Sequence, residues 1–127
     1  LRAVQQGLAA MPSLPEIWVG DFNALTREDY NASAWRDIVA VRKRNRWEAP
    51  QTAATEWMRK AGFIDCWRAA GCEGPVSTCR FDTRVDYIWA SPDFLDQWAL
   101  TQCIAVHSDA SDHKLVRAQF RAQTSSL

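Results

Sequence analysis

At 127 residues, 47% of them apolar and 11% aromatic, the chain suits one packed domain and excludes a disordered segment. Fifteen basic and fifteen acidic side chains cancel, so no net field draws the protein to nucleic acid or an anionic membrane, and any phosphate recognition is local. No apolar run approaches the roughly twenty residues that cross a bilayer, and no membrane span is expected.

Val4, Leu8 and Met11 recur at helical spacing, and Pro12 and Pro15 close that segment. Residues 16–20 hold Ile17, Trp18 and Val19, a β-rich run of the kind buried on both faces, which puts Gly20-Asp21 at the carboxyl end of a strand. Asn31 or Ser33 can cap a helix running to about Arg44, with Trp35, Ile38, Val39 and the stem of Arg42 turned inward. Thr52 opens a second helix, with Ala53, Trp57 and Met58 inward and Gly62 at its end. Phe63, Ile64 and Trp67 then pack near a turn.

Gly71 to Gly74 with Pro75 reads as loop, after which residues 76–81 and 84–90 predict two strands joined as a hairpin by Asp82-Thr83. Ser91-Pro92-Asp93 starts a short helix carrying Phe94, Leu95 and Trp98. Residues 101–106 and 115–120 supply two more strands, and in the second Leu115, Arg117 and Gln119 alternate with Val116, Ala118 and Phe120, the mark of one wet face. The small, polar tail from residue 122 is expected to fray.

Cys66, Cys72, Cys79 and Cys103 have irregular gaps and no zinc-ligand spacing, so they read as reduced thiols in a cytoplasmic or nuclear setting. Trp18, Trp57 and Trp89 sit beside aliphatic residues and predict core. The cluster Arg42, Lys43, Arg44 and Arg46, next to Trp47, has two readings. It is either a solvated helix terminus whose charges complement the dipole, or a patch that tracks a phosphate backbone with Trp47 stacking on a base.

Three short motifs carry the chemistry. Asp21 and Asn23 lie two apart at a strand end, so an extended continuation points both side chains to one side. The carboxylate can handle a proton or a hydrated metal, and the amide can donate to a phosphate oxygen. The same Asp-x-Asn is also the pattern of an Asx turn, the reading that turn preference favours for the pair taken alone. A calcium loop does not fit, because Leu25 and Thr26 stand where it needs an oxygen ligand and a glycine. His113 follows Asp112 just before the last strand; if Asp86 lies against it, that carboxylate fixes the tautomer and raises the basicity of the far nitrogen. His107 has no such company and reads as structural or exposed.

Taken in order, Gly20-Asp21-Phe22-Asn23, Thr78, Arg84-Val85-Asp86-Tyr87 and Ser111-Asp112-His113 resemble the motifs of the C-terminal half of the endonuclease/exonuclease/phosphatase superfamily, whose fold is also called DNase-I-like. The resemblance covers nearly the whole chain. It implies an α+β fold, the C-terminal half of a four-layer α/β/β/α sandwich, with a mixed, mainly antiparallel sheet and helices on one face. Residues 1–127 would then be a partial domain whose N-terminal half is absent.

The resemblance also implies a function: metal-dependent hydrolysis of a phosphate ester, of the phosphodiesterase or endonuclease type, by in-line water attack. His113 becomes the base or transition-state partner and Asp86 its orienting acid. Asp21 assists proton transfer, Asn23 and Thr78 bind the substrate phosphate, and Asp112 with Asp21 binds Mg²⁺, for which Mn²⁺ can substitute. Arg84, Tyr87 and Ser111 support them. The family's early Asn and metal-binding Glu have no counterpart here, so the chain alone is expected to be weak or inactive. Its open sheet face is expected to self-associate or pair with the missing half. Nucleic acid is one of several phosphate-ester substrates these motifs serve. The reading from another class is a non-catalytic homologue acting as a binding or scaffold module.

Overall fold

The computed structural model describes residues 14–71 and 77–124. The helix expected over residues 4–11, together with Cys72, Val76 and the last three residues, lies outside them. Along the chain come β1 (Ile17–Asp21), a 3₁₀ turn (Arg27–Asp29), α1 (Ala32–Arg44), α2 (Ala53–Lys60), β2 (Ile64–Asp65), α3 (Cys66–Ala69), β3 (Asp86–Ala90), α4 (Pro92–Gln97), β4 (Trp98–Val106) and β5 (Leu115–Ala122). Helices combine with antiparallel strands in two small sheets, β1-β3-β2 and β4-β5, where one sheet was expected. No helix among the described residues is long and apolar enough to cross a membrane.

Local signals account for most boundaries. The Asn31 side chain, not Ser33, accepts from the Ala34 N–H at 2.7 Å, satisfying one of the donors a helix start leaves open. Ser91 does the same for Phe94 at 3.2 Å, with Pro92 in the first turn. Gly62 ends α2 in a left-handed conformation (φ +92°), which lets the Phe63 N–H reach the Met58 carbonyl at 3.0 Å. Trp98, expected on the helix, instead begins β4. At the other end Gln123 is tied down through its N–H to the Gln97 carbonyl at 2.8 Å, so fraying does not begin at residue 122.

Among the described residues, 77 onward, the strand ladder of the expected hairpin does not form. Cys79 makes only an isolated bridge to His113, and the chain turns at Asp82, which is left-handed at φ 56°. The Thr78 hydroxyl, rather than a strand ladder, receives the N–H groups of Val85 (2.9 Å) and Asp86 (3.2 Å). β3 is thereby released to become the central strand between β1 and β2.

One face of that sheet turns Trp18, Tyr87 and Trp89 toward Met58, Trp57 and Phe63, with the Tyr87 and Trp89 rings stacked at 5.5 Å. The other turns Ile88 and Ala90 into a cluster with Cys66, Trp67, Cys103, Val116 and Phe120. Ile17 and Val19 lie on this second face but stay 38% and 66% exposed, so β1 is not buried on both sides as its composition predicts. A third cluster joins Leu25, Tyr30, Cys79 and Val85 to Trp35 and Ile38 of α1. Val39 points outward, and on α2 it is Thr55 rather than Ala53 that faces in, its hydroxyl donating to the Leu25 carbonyl at 2.7 Å. β5 alternates as expected, with a register shift opposite it between Leu100 and Gln102. Cys66, Cys79 and Cys103 are buried thiols, and burial, followed by the nearby Cys103 and Asp65, pushes the Cys66 thiol up to about 12.

Arg84 joins these parts. Its guanidinium, 1% exposed, donates to both carboxylate oxygens of Asp29 (2.7 and 3.2 Å) and of Asp65 (3.0 and 2.7 Å). Trp67 and Tyr87 pack on it at 4.7 and 4.4 Å from their ring centroids. Burial alone disfavours the charged form, but hydrogen bonds to Asp65 and Asp29 outweigh it and hold the pKa above the ordinary arginine value. The bond from the Arg84 N–H to the Tyr30 hydroxyl (3.0 Å) ties the same residue to the loop before α1. Replacing Arg84 by Met leaves two buried carboxylates without their shared cation. We predict a loss of about 3–5 kcal/mol in urea unfolding, whereas a loss below about 1 kcal/mol would show that the cluster is not a fold anchor.

Candidate active site

The antiparallel register pairs Asp21 with Asp86, the last residue of β1 with the first of β3. Directly opposed residues share a face, so two carboxylates come side by side at the open end of the sheet. Gly20, at φ +138°, takes a backbone conformation that side-chain-bearing residues rarely adopt. Phe22 then locks the exit from β1, its N–H on the Val85 carbonyl at 2.9 Å and its ring edge-on to Tyr87 and Trp89.

His113 arrives from the loop between β4 and β5. The Cys79–His113 bridge and the Lys114 N–H on the Thr78 carbonyl (2.8 Å) hold its backbone, and the Ser111 hydroxyl accepts its N–H at 3.0 Å. Its Nδ1 stands 2.8 Å from Asp86 Oδ2. One ligand atom each from Asp21, Asp86 and His113 all fall within 4.8 Å of one another. With Nδ1–H donating to Asp86, Nε2 carries the lone pair and serves as the basic nitrogen. The hydrogen bond to Asp86 holds the His113 pKa above its ordinary value; partial burial opposes this, and the charges of Asp86, Asp21 and Asp112 add to it. The pair therefore stabilises the fold fully below about pH 6.5, and that contribution is lost as pH rises through the raised value.

The other expected residues distribute as follows. Asp21 accepts the Asn23 N–H on Oδ1 at 2.7 Å, and Asn23 is left-handed at φ 47°, so the Asx turn is formed and the extended continuation is not. Both side chains nonetheless line one cavity with Asp112 and His113. Asp112 is exposed and is not among the three converging ligand residues. Thr78 is absent from the cavity wall: it is 1% exposed, and its hydroxyl serves the backbone of Val85 and Asp86, so its place is behind Asp86 rather than on the substrate. Tyr87 is buried, its hydroxyl donating toward the carbonyls of Ala24 (3.0 Å) and Arg84 (3.1 Å), and burial raises its pKa. His107 does have a partner, Asp109 at 2.9 Å, but both are exposed and such a surface pair contributes little.

The cavity encloses about 730 Å³. Beyond the acids and His113 its wall includes Tyr30, Ile38, Val41, Trp47, Phe81 and Val85, with Arg42, Arg80, Asp37 and Asp82. Asp29 and Asp65, which hold Arg84, and Phe81 on the wall were not singled out from the sequence. Lone acids and a phenylalanine in a presumptive strand carry no signal of that kind. Comparison with protein-family models, curated proteins and solved structures finds no match to this chain.

If Asp86 sets the basicity of His113, Asp86→Asn lowers the His113 midpoint toward about 6.5 in an NMR titration in chelator-containing buffer. An unchanged midpoint in a folded variant would remove Asp86 from that role.

Proposed function

We propose that this chain carries the proton-handling part of a metal-dependent phosphoesterase of the endonuclease/exonuclease/phosphatase type, acting on a phosphodiester by in-line attack of water. The observation that supports this most is the 2.8 Å Asp86–His113 contact beside Asp21, in a cavity that Asn23 and Asp112 also line. Asp86 holds the Nδ1 proton, which leaves Nε2 to accept a proton from the attacking water. Asp21 assists proton transfer at the nucleophile or the leaving oxygen. The Asn23 amide, from a residue of the cavity wall with a left-handed backbone, donates to a non-bridging phosphate oxygen in this reading.

Oxygen donors suit Mg²⁺ or Mn²⁺, and Asp21 with Asp112 would hold the ion; Asp86 has one oxygen committed to His113. A bound divalent ion supplies charge neutralisation and polarisation of a phosphoryl oxygen. Two carboxylates are a sparse set for a strongly hydrated cation, so hydrolysis by this chain alone should be feeble. In this reading the two sheets belong to one half of a four-layer sandwich. The exposed Ile17 and Val19 favour self-association or pairing with a further segment.

The experiment is a Mg²⁺-dependent hydrolysis assay of the full gene product on an aryl phosphodiester. His113→Ala and Asp21→Asn should each lower turnover by about 10²–10⁴-fold, as expected when a positioned proton-transfer group is removed. Turnover retained in both variants would refute the assignment. Absence of hydrolysis in the unmutated product would favour the binding-module reading.

A further inference from the structure

We propose that the outer part of the cavity seats an unstacked nucleobase on Trp47 and Phe81, making the substrate a single-stranded nucleic acid whose phosphate lies at Asp21 and His113. This rests on the phosphoesterase reading and adds the substrate class to it. Trp47 and Phe81 are 42% and 49% exposed, unlike the fully buried Trp89, yet their rings meet edge-to-face at 4.8 Å. Both line the same cavity as Asp21 and His113.

The two rings are held on ordered turns. Past the end of α1, Arg46 is left-handed at φ 58° and the Trp47 N–H returns to the Arg42 carbonyl at 2.8 Å. Arg42 Nη1 also donates to the Glu48 carbonyl at 3.2 Å. The Phe81 ring carries the Arg80 guanidinium 4.7 Å from its centroid, next to the left-handed Asp82. With the backbone beneath the rings held in this way, mainly side-chain freedom is lost when a flat ring settles on them.

The charges on the wall narrow the ligand further. Arg42 and Arg80 attract phosphate, but Asp37 and Asp82 also line the cavity, and carboxylates only accept hydrogen bonds. A bare polyanion therefore fits badly, whereas a ring bearing N–H donors, joined to a phosphate, satisfies both signs. A volume of about 730 Å³ lies within the range of ligand sites and gives such a unit room. Base pairing and stacking cover the faces of a base in a duplex, so the seat favours a single strand.

The test is fluorescence anisotropy of a labelled short oligonucleotide binding this chain in EDTA, with three probes of equal phosphate count: a base-bearing single strand, the same strand with abasic sites, and a duplex. The base-bearing strand should bind about tenfold or more tightly than the abasic one, as expected for base stacking on an aromatic side chain, and more tightly than the duplex. Trp47→Ala should abolish that preference, Phe81→Leu should weaken it, and Trp47→Phe should retain most of it. Equal binding of all three probes, or a preference that survives Trp47→Ala, overturns the proposal. Asp21→Asn should keep the preference while losing hydrolysis in the full gene product. A base preference without any hydrolysis would sink the phosphoesterase reading alone, and hydrolysis without a base preference would sink the base seat alone.

Discussion

Two like charges, Asp21 and Asp86, are forced together where β1 and β3 meet at the open end of the sheet, and the rest of the site follows from that constraint. Directly opposed carboxylates oppose the fold that contains them. The register nevertheless survives because the same strands bury Trp89 and Tyr87 completely a few residues further in. His113 meets these acids from the loop that leads into β5, and its hydrogen bond to Asp86, with the charges of Asp86, Asp21 and Asp112 adding, raises its pKa against the effect of burial. Two acids that converge with an imidazole in a cavity form the kind of cluster in which charges are placed to tune one another.

What makes the constraint tolerable lies just upstream. Arg84 is two residues before Asp86, and its guanidinium gathers Asp29 and Asp65 from distant parts of the chain into one buried cluster. The Thr78 hydroxyl then holds the N–H groups of Val85 and Asp86, so the last residues before β3 are fixed by side-chain bonds rather than by a neighbouring strand. In physical order the molecule sets a buried ion cluster, a strand entering from it, and a carboxylate at the strand's first residue. The exposed face of β1 and the aromatic wall of the cavity are the surfaces this arrangement leaves available.

The parts legible in the sequence were those governed by local rules. Asn31, Ser91 and Gly62 mark helix ends because caps and left-handed glycines act within a few residues, and the alternation from Leu115 to Phe120 describes β5 because one face of that strand is wet. The convergence of Asp21, Asp86 and His113 was legible only through the order of three motifs, since nothing local joins residues so far apart. Residues 76–81 read as a strand, yet past the Thr78 N–H bond to the Thr83 carbonyl it is the Thr78 hydroxyl that takes the N–H groups of Val85 and Asp86. Asp29 and Asp65 were invisible for a related reason: an isolated acid looks the same whether it faces water or a buried arginine. Thr55 takes the inward place expected of Ala53 because its hydroxyl has the Leu25 carbonyl to bond, and Val39, expected inward, is 40% exposed on α1.

The most direct test of the opposed-charge account is the urea unfolding free energy of Asp21→Asn in metal-free buffer, at a pH where His113 is neutral. The amide keeps an oxygen that can accept the Asn23 N–H while removing the charge. The account predicts a variant more stable than the parent by on the order of 0.5–1 kcal/mol, with no such gain when Asp86 is already Asn. A variant less stable than the parent would mean that the two acids do not oppose one another, and the central claim would fail.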